Sequence, residues 1–356
     1  MVELVGGVAA IVSYRLGMAD GVSVTAAQLA TALRRLGMQV RTVAGDGRPD
    51  VLVPGLKIDA PRPPTRDELA AALDDVDLVV ADNICSLPMN AAAGEALAAY
   101  LAGRPALLRH HDLPWERRQY ADVVGWPPDD PAWWHVTVTR RARRALRARR
   151  GIVATTLYHG FDDHPRPEQR AAVRRRLAVD DRPLVLQPTR AIARKRIDVG
   201  IALAQAVGGS FWLTGPAEDG FQPELDRLLA SCRVPVRRRL PPGVSMAGAY
   251  AACDVVVLPS TWEGFGLPLI EAALHRKPIA VGRFPVAEEL ARYGFRWFDA
   301  HDPAPLRDWL AHPDEALLDH NEYLARRHFG IDVMARRLAR LLSTPPPSAG
   351  RRTLAG

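Results

Sequence analysis

Short runs of β-branched and aliphatic residues alternate with longer stretches of helical periodicity along most of the chain, and this alternation restricts the fold more than any other feature. The runs fall at residues 10–14, 40–43, 76–81, 105–109, 136–139 and 152–155, and a second series at 184–188, 211–215, 234–237, 255–259, 279–282 and 295–298. Helical patterns lie between them, for instance at 24–36, 91–101, 197–207 and 223–229. Strands that are apolar without alternation are covered on both faces, as in parallel sheets flanked by helices. Two series therefore predict an α/β protein of two Rossmann-like, doubly wound domains. A chain of 356 residues, 48% of them apolar, is long enough to fill two cores.

The stretch Asp162-Asp163-His164-Pro165-Arg166-Pro167 is polar and proline-bearing, and reads as the hinge. It divides the chain into a first domain, residues 1–165, and a second, 166–325. A last helical stretch over 326–343 has no strand after it and is expected either to pack on one of the domains or to cross between them. Residues 344–356, opening on Pro345-Pro346-Pro347, read as a disordered tail. No internal repeat is evident. The N-terminal apolar stretch is short and glycine-broken, a first strand rather than a signal peptide. No run of about 18 apolar residues predicts a membrane span.

Ligands of open parallel sheets bind beyond the carboxyl ends of the strands, so the loops after the strands carry the functional reading. After residues 255–259 comes Ser260-Thr261-Trp262-Glu263-Gly264-Phe265-Gly266-Leu267-Pro268-Leu269-Ile270-Glu271-Ala272. Gly264 and Gly266 allow a sharp turn, and a helix opens near Leu267 with Pro268 in its first turn. Its free N–H groups suit a diphosphate. Glu263 and Glu271 are carboxylates suited to accept hydrogen bonds from sugar and ribose hydroxyls.

This segment resembles the E-x(7)-E signature of retaining glycosyltransferases, in particular glycosyltransferase family 4, over the whole phrase DVVVLPSTWEGFGLPLIEA. The resemblance implies a GT-B architecture, with two Rossmann-like domains facing a central cleft and the donor held mainly by the second. Glu263 would orient the sugar ring, Gly264, Phe265, Gly266 and Leu267 would meet the diphosphate, and Glu271 would hold the ribose. Arg190 and Lys195, in the loop after 184–188, match the family's R-L-x-x-x-K-G segment and so take the diphosphate, although Arg196 stands where that segment has glycine. Gly215-Pro216-Ala217-Glu218-Asp219 resembles a family turn that lies near the donor base, or is a turn only. In the first domain, Gly21 in the loop after the first strand is the candidate for close backbone approach to the donor, while Ser23 would cap the following helix. His111, with His110 as the alternative, matches a family histidine near the reacting sugar. The stretch 82–90 would line the acceptor side, and His159-Gly160-Phe161-Asp162 resembles the end of the family's first domain.

The catalytic set implied is thus Glu263, His111, Arg190 and Lys195, acting without a cofactor or metal. The one D-x-D, Asp75-Val76-Asp77, begins a strand rather than ending one and reads as a solvated turn. The donor is a nucleotide-diphosphate sugar, GDP-mannose or a UDP-sugar, and the acceptor a hydroxyl compound. Rival readings are a non-catalytic nucleotide-sugar-binding protein and an epimerase or phosphorylase on the same fold. A net charge of +7 favours phosphate-bearing partners. Only three of the 47 basic residues are lysine, however, which points to coding bias and weakens the surface arginines as signals. The seven arginines of 140–150 suit either an anionic membrane face or a solvated helix face. No aromatic interleaving suggests nucleic acid. Three scattered cysteines exclude a disulfide framework and fit a reducing cytoplasm.

Overall fold

Every strand pairing among the described residues is parallel. The structure is a computed structural model that describes residues 5–18, 20–162 and 170–347. It divides into two units: one runs to Phe161 and resumes at Phe329, and the other is Asp162–His328.

The first unit holds strands β1 (Val8–Ser13), β2 (Gln39–Ala44), β3 (Val51–Leu52), β4 (Leu78–Asp82), β5 (Ala106–His110), β6 (Trp133–Thr137) and β7 (Ala154–Thr156), ordered β3-β2-β1-β4-β5-β6-β7. Successive residues of a strand face opposite sides, and both sides are buried. Ala9 and Ile11 pack with helix Gly21–Arg35, while Ala10 and Val12 pack with helices Arg66–Leu73 and Ala91–Leu101. This is why β1 shows no polar alternation. β6 begins three residues before the predicted run, because Trp133 and Trp134 bury one ring on each face of the sheet.

The predicted stretch 326–343 is two helices, Glu315–Phe329 and Ile331–Leu342, parted at Gly330. There Phe161 donates its N–H to the Phe329 carbonyl and accepts from Ile331 N. Ile331, Met334, Ala335, Leu338 and Leu342 form an apolar stripe that joins the core of the first sheet. Gly160 lies under this helix: a Cβ there would sit 2.9 Å from the Met334 side chain and 3.0 Å from Ile331 Cα. The expected disorder from residue 344 is corrected at its start. The Thr344 carbonyl accepts a 2.9 Å hydrogen bond from Trp134 Nε1. Residues 348–356 of that tail, and 163–169 around the expected hinge, lie outside the described residues.

The second unit orders β8 (Leu184–Gln187), β9 (Ser210–Leu213), β10 (Val236–Arg238), β11 (Val255–Leu258), β12 (Ile279–Val281) and β13 (Phe298–Asp299) as β10-β9-β8-β11-β12-β13. Strand order reverses between β1 and β4 in the first sheet and between β8 and β11 in the second. Such switch points open a crevice at the carboxyl ends of the strands. Asp75 and Asp77 lie at the other end of β4: Asp75 takes both Nη atoms of Arg41 at 2.7 Å, and Asp77 accepts from Val8 N at 2.7 Å.

In helix Arg140–Arg150, Ala142 and Leu146 face inward, and Arg149 stacks over Trp115 at 5.3 Å. No helix among the described residues is long and apolar enough to cross a membrane.

Candidate active site

In the second unit the loops after β8 and β11 are neighbours, tied by the Thr261 N–H to the Arg194 carbonyl at 2.9 Å. The β8 loop closes in a tight turn, Ala193–Lys195, and hands over to helix Ile197–Ala206 at Arg196, whose φ is +48°. That left-handed value is the reason glycine is common at this position in the family segment. Arg196 holds it with its guanidinium on Asp198.

The turn delivers Lys195 inward. It is only 8% exposed, and its ammonium pairs with Glu263 Oε1. The same oxygen accepts from Ser260 Oγ at 2.6 Å, and Oε2 lies 3.4 Å from Arg194 Nη1, which also donates to the Trp262 carbonyl at 2.7 Å. Burial pushes the Glu263 carboxyl up, but Lys195 and Arg194 outweigh it and hold the group below the usual carboxylate range. One buried carboxylate is thus shared by two cations and a hydroxyl. Arg190 stays outside this cluster, exposed and paired with Glu218 at 2.5 Å, though its charge still bears on Lys195. The 215–219 turn is stitched to the Arg190 loop by hydrogen bonds between Ala191 and the backbone of Pro216 and Glu218.

Of the two signature glycines only Gly266 is left-handed, with φ +83°, and it starts helix Leu267–Leu274. Phe265 is buried beside it, and Leu267 opens the helix. Glu271, one turn on, accepts from Tyr250 Oη at 2.6 Å, and the Tyr250 ring stacks on His275 at 4.9 Å. Burial raises the Glu271 carboxyl.

The first unit corrects one expectation. Gly21 is the exposed first residue of helix Gly21–Arg35, and Asp20 rather than Ser23 caps that helix. The Asp20 carboxylate accepts from Val22 N and Ser23 N at 3.0 and 3.1 Å. At the end of β5 the two histidines separate. His110 is fully buried between Ser86 Oγ at 2.7 Å and His135 Nδ1 at 3.0 Å, and burial holds it neutral. The His111 ring keeps 12% exposure, with Nε2 on Asp82 Oδ1 at 2.6 Å.

Residues 193–310, which contain Arg194, Lys195, Glu263 and Glu271, match the family model described as glycosyl transferases group 1. Mannosylglucosylglycerate synthase of Thermotoga maritima is 24% identical over 93% of this chain and 98% of its own length. D-inositol 3-phosphate glycosyltransferase of Streptomyces coelicolor is 34% identical over 59% of this chain and 45% of its own. The crystal structure of Anabaena Alr3699/HepE in complex with UDP-glucose matches 95% of this chain and 99% of that one, with a TM-score of 0.71 at 18% identity, a likeness of fold. The chain is a glycosyltransferase whose residues 193–310 match group 1. Its two parallel sheets are the Rossmann-like pair of the GT-B fold.

In this glycosyltransferase, sequence reasoning missed Arg194, Ser260 and Tyr250 in the second unit and Arg109 and His159 in the first. Arg194 adjoins Lys195 but is hidden by the arginine background. Ser260 stands three residues before Glu263, close enough to bond it. Tyr250 lies on helix Met246–Ala252, twenty-one residues from its partner, and no local pattern betrays it.

Proposed function

We propose that this glycosyltransferase moves a hexose from a nucleotide-diphosphate sugar to a hydroxyl acceptor with retention of anomeric configuration, without a metal ion. The observation that carries the reading is the buried Lys195, set with Arg194 beside Glu263 at the carboxyl end of β8 and β11, with Arg190 nearby. Lys195 has three protons to give, and one is used by Glu263. Cations and a helix N-terminus at a switch point suit a diphosphate and stabilise the charge that develops as it departs.

On this reading the bond from the anomeric carbon to the diphosphate oxygen breaks through an oxocarbenium-like transition state. The acceptor oxygen bonds the same face, and its proton passes to the departing phosphate. Glu263 fixes Lys195 and the sugar ring rather than acting as nucleophile, Glu271 holds the ribose, and His111 meets a sugar hydroxyl. Support for the donor class comes from HepE, solved with UDP-glucose, and from relatives named for mannosyl transfer. The match to mannosylglucosylglycerate synthases over 93% and 80% of this chain makes small glycosylated acids the first acceptors to try.

The test is a thermal-shift screen with GDP, UDP, ADP and their hexose conjugates. A ligand at a hundred times its Kd adds about 2.7 kcal/mol, which raises the midpoint of a chain this long by roughly 3–4 °C. One nucleotide class should stabilise the protein, Lys195→Ala should abolish the shift, and excess EDTA should leave transfer unchanged. A folded protein that no nucleotide stabilises would sink the reading. Stabilisation without turnover on any acceptor or water would favour a binding protein instead.

A further inference from the structure

Under the loop after β5, the first unit buries a set of charged and polar side chains. Asp82 ends β4 and Arg109 lies one residue from the end of β5, and both are fully buried. Arg109 Nη1 sits 3.3 Å from each carboxylate oxygen of Asp82 and donates to the Thr25 carbonyl at 3.3 Å, while Nη2 reaches His159 Nδ1 at 2.6 Å. The second partner of Asp82 is the His111 ring, its Nε2 at 2.6 Å from Oδ1. Apolar residues of similar volume usually serve a core as well as a buried ion pair does, so the pair invites a reason beyond packing.

The protonation states follow from the contacts. Burial pushes the Asp82 carboxyl up, but the Arg109 guanidinium, with the hydrogen bonds from Arg109 and His111, holds it below the usual range, so it is ionised. An ionised carboxylate only accepts. The proton of the His111–Asp82 bond therefore sits on Nε2, and whenever the ring is uncharged its lone pair is on Nδ1. That Nδ1 makes no hydrogen bond among the described residues, and the ring is 12% exposed. The backbone of the same residue is held as well: its N–H donates to Asn83 Oδ1 at 3.3 Å, from a residue with φ +65°. His159 packs against the ring at 5.2 Å between centroids.

We propose that Asp82 is a positioning residue for the transfer: it locks His111 as the Nε2–H tautomer, so that Nδ1 is offered as a hydrogen-bond acceptor to a hydroxyl of the bound substrate. Arg109 keeps Asp82 ionised and so enforces the tautomer. No proton changes hands in this step; the hydroxyl donates and stays whole. The inference rests on the reading of His111 as a sugar-facing residue. It adds to it which atom faces the sugar and what sets that choice.

Asp82→Asn supplies the contrary signal. Its amide can donate to Nε2, which must then accept, and the proton moves to Nδ1. The outward atom changes from acceptor to donor while the side-chain shapes are kept. In protein labelled with 15N-histidine, long-range 1H–15N correlations report the tautomer of each ring, with His111 identified by the signal lost in His111→Asn. The wild type should show Nε2–H at pH values where the ring is neutral, and Asp82→Asn should show Nδ1–H. The variant should also release nucleoside diphosphate from the donor chosen by thermal shift (GDP-mannose or UDP-glucose) about 100-fold more slowly or worse, with donor KM within about twofold. A merely structural Asp82 would not tie the rate to the tautomer. A wild-type ring protonated on Nδ1 overturns the proposal whether or not the variant folds, and so does a variant with swapped tautomer and an unchanged rate. The tautomer is read without substrate, and nucleotide binding is read in the other unit, so failure here is told apart from failure of the glycosyltransferase reading.

Discussion

Neutralising Glu263 without changing its shape tests the centre of the donor site. Glu263→Gln leaves the buried Lys195 and the half-buried Arg194 without their shared counter-ion, while the Ser260 hydroxyl keeps a carbonyl acceptor. Breaking a buried pair from one side costs about 3–5 kcal/mol. Lys195 can escape part of this by releasing its proton, and Arg194 keeps the Trp262 carbonyl. The net loss should therefore be about 2–4 kcal/mol, a midpoint drop of roughly 3–6 °C for the whole chain. The double variant Lys195→Met with Glu263→Gln removes both charges and should recover most of the loss, with a coupling of about 2 kcal/mol. The pH dependence has a defined sign. The folded Glu263 carboxyl lies below its usual 4.5, so its contribution is complete above that value. The gap between wild type and Glu263→Gln should be constant just above pH 5 and close as acid protonates the carboxyl. Glu263 also competes with a diphosphate for Lys195, so the stabilisation added by the nucleoside diphosphate should be larger in Glu263→Gln than in wild type, even as transfer fails. Differential scanning calorimetry with and without ligand measures all of this. An unchanged midpoint in the single variant, or a smaller ligand shift than in wild type, would refute the reasoning.

Three other perturbations have defined outcomes. Burial pushes Glu116 up to about 7 against the Leu113 N–H that it accepts, so the folded state favours its protonated form and stability should fall as pH rises from 4.5 to 7. Glu116→Gln should flatten that fall and gain roughly 1–3 kcal/mol at pH 8, and a variant melting curve that tracks wild type across this window would contradict it. Tyr250→Phe removes the hydroxyl that holds Glu271. Donor KM should rise about tenfold, the worth of a hydrogen bond to a charged group, and a 2′,3′-dideoxyribose donor analogue should lose less than the ribose donor; equal losses would free Glu271 from the ribose. At Arg196 the left-handed backbone decides. Arg196→Gly should stay within about 0.5 kcal/mol of wild type, whereas the β-branched Arg196→Val should cost about 1–2 kcal/mol in urea unfolding.

The fold was legible because parallel strands covered on both faces leave an unbroken apolar trace. β8, β9, β11 and β12 start within a residue of where such runs predict them. β3 escaped because two residues at a sheet edge carry no pattern. β6 was displaced because Trp133, Trp134 and His135 read as loop chemistry until each ring finds a face. Glu263, Lys195 and His111 were legible because a post-strand loop has few reasons to keep such residues. Their partners were not. Asp82 reaches His111 across 29 positions of chain, and Tyr250 reaches Glu271 across 21, through sheet neighbours and helix packing that no local spacing encodes. Ser23 misled because serine is a common helix cap, and the deciding feature was the carboxylate of Asp20 three residues before it.

The two units solve a similar electrostatic problem in different ways. Each buries one carboxylate at the loops of its switch point and shares it between two partners: Glu263 between Lys195 and Arg194, Asp82 between Arg109 and His111. In the second unit both partners are cationic side chains with Arg190 close by, so the loops keep a positive excess after Glu263 is satisfied, as long as Lys195 holds its proton. That excess suits a group that arrives charged and leaves more so. In the first unit one partner is an imidazole, and when that ring is neutral Asp82 and Arg109 cancel. What remains there is a directed lone pair on a ring held by its neighbours, which suits a neutral hydroxyl. Charge placement thus suits a phosphate in the loops of the second unit and a neutral hydroxyl in those of the first.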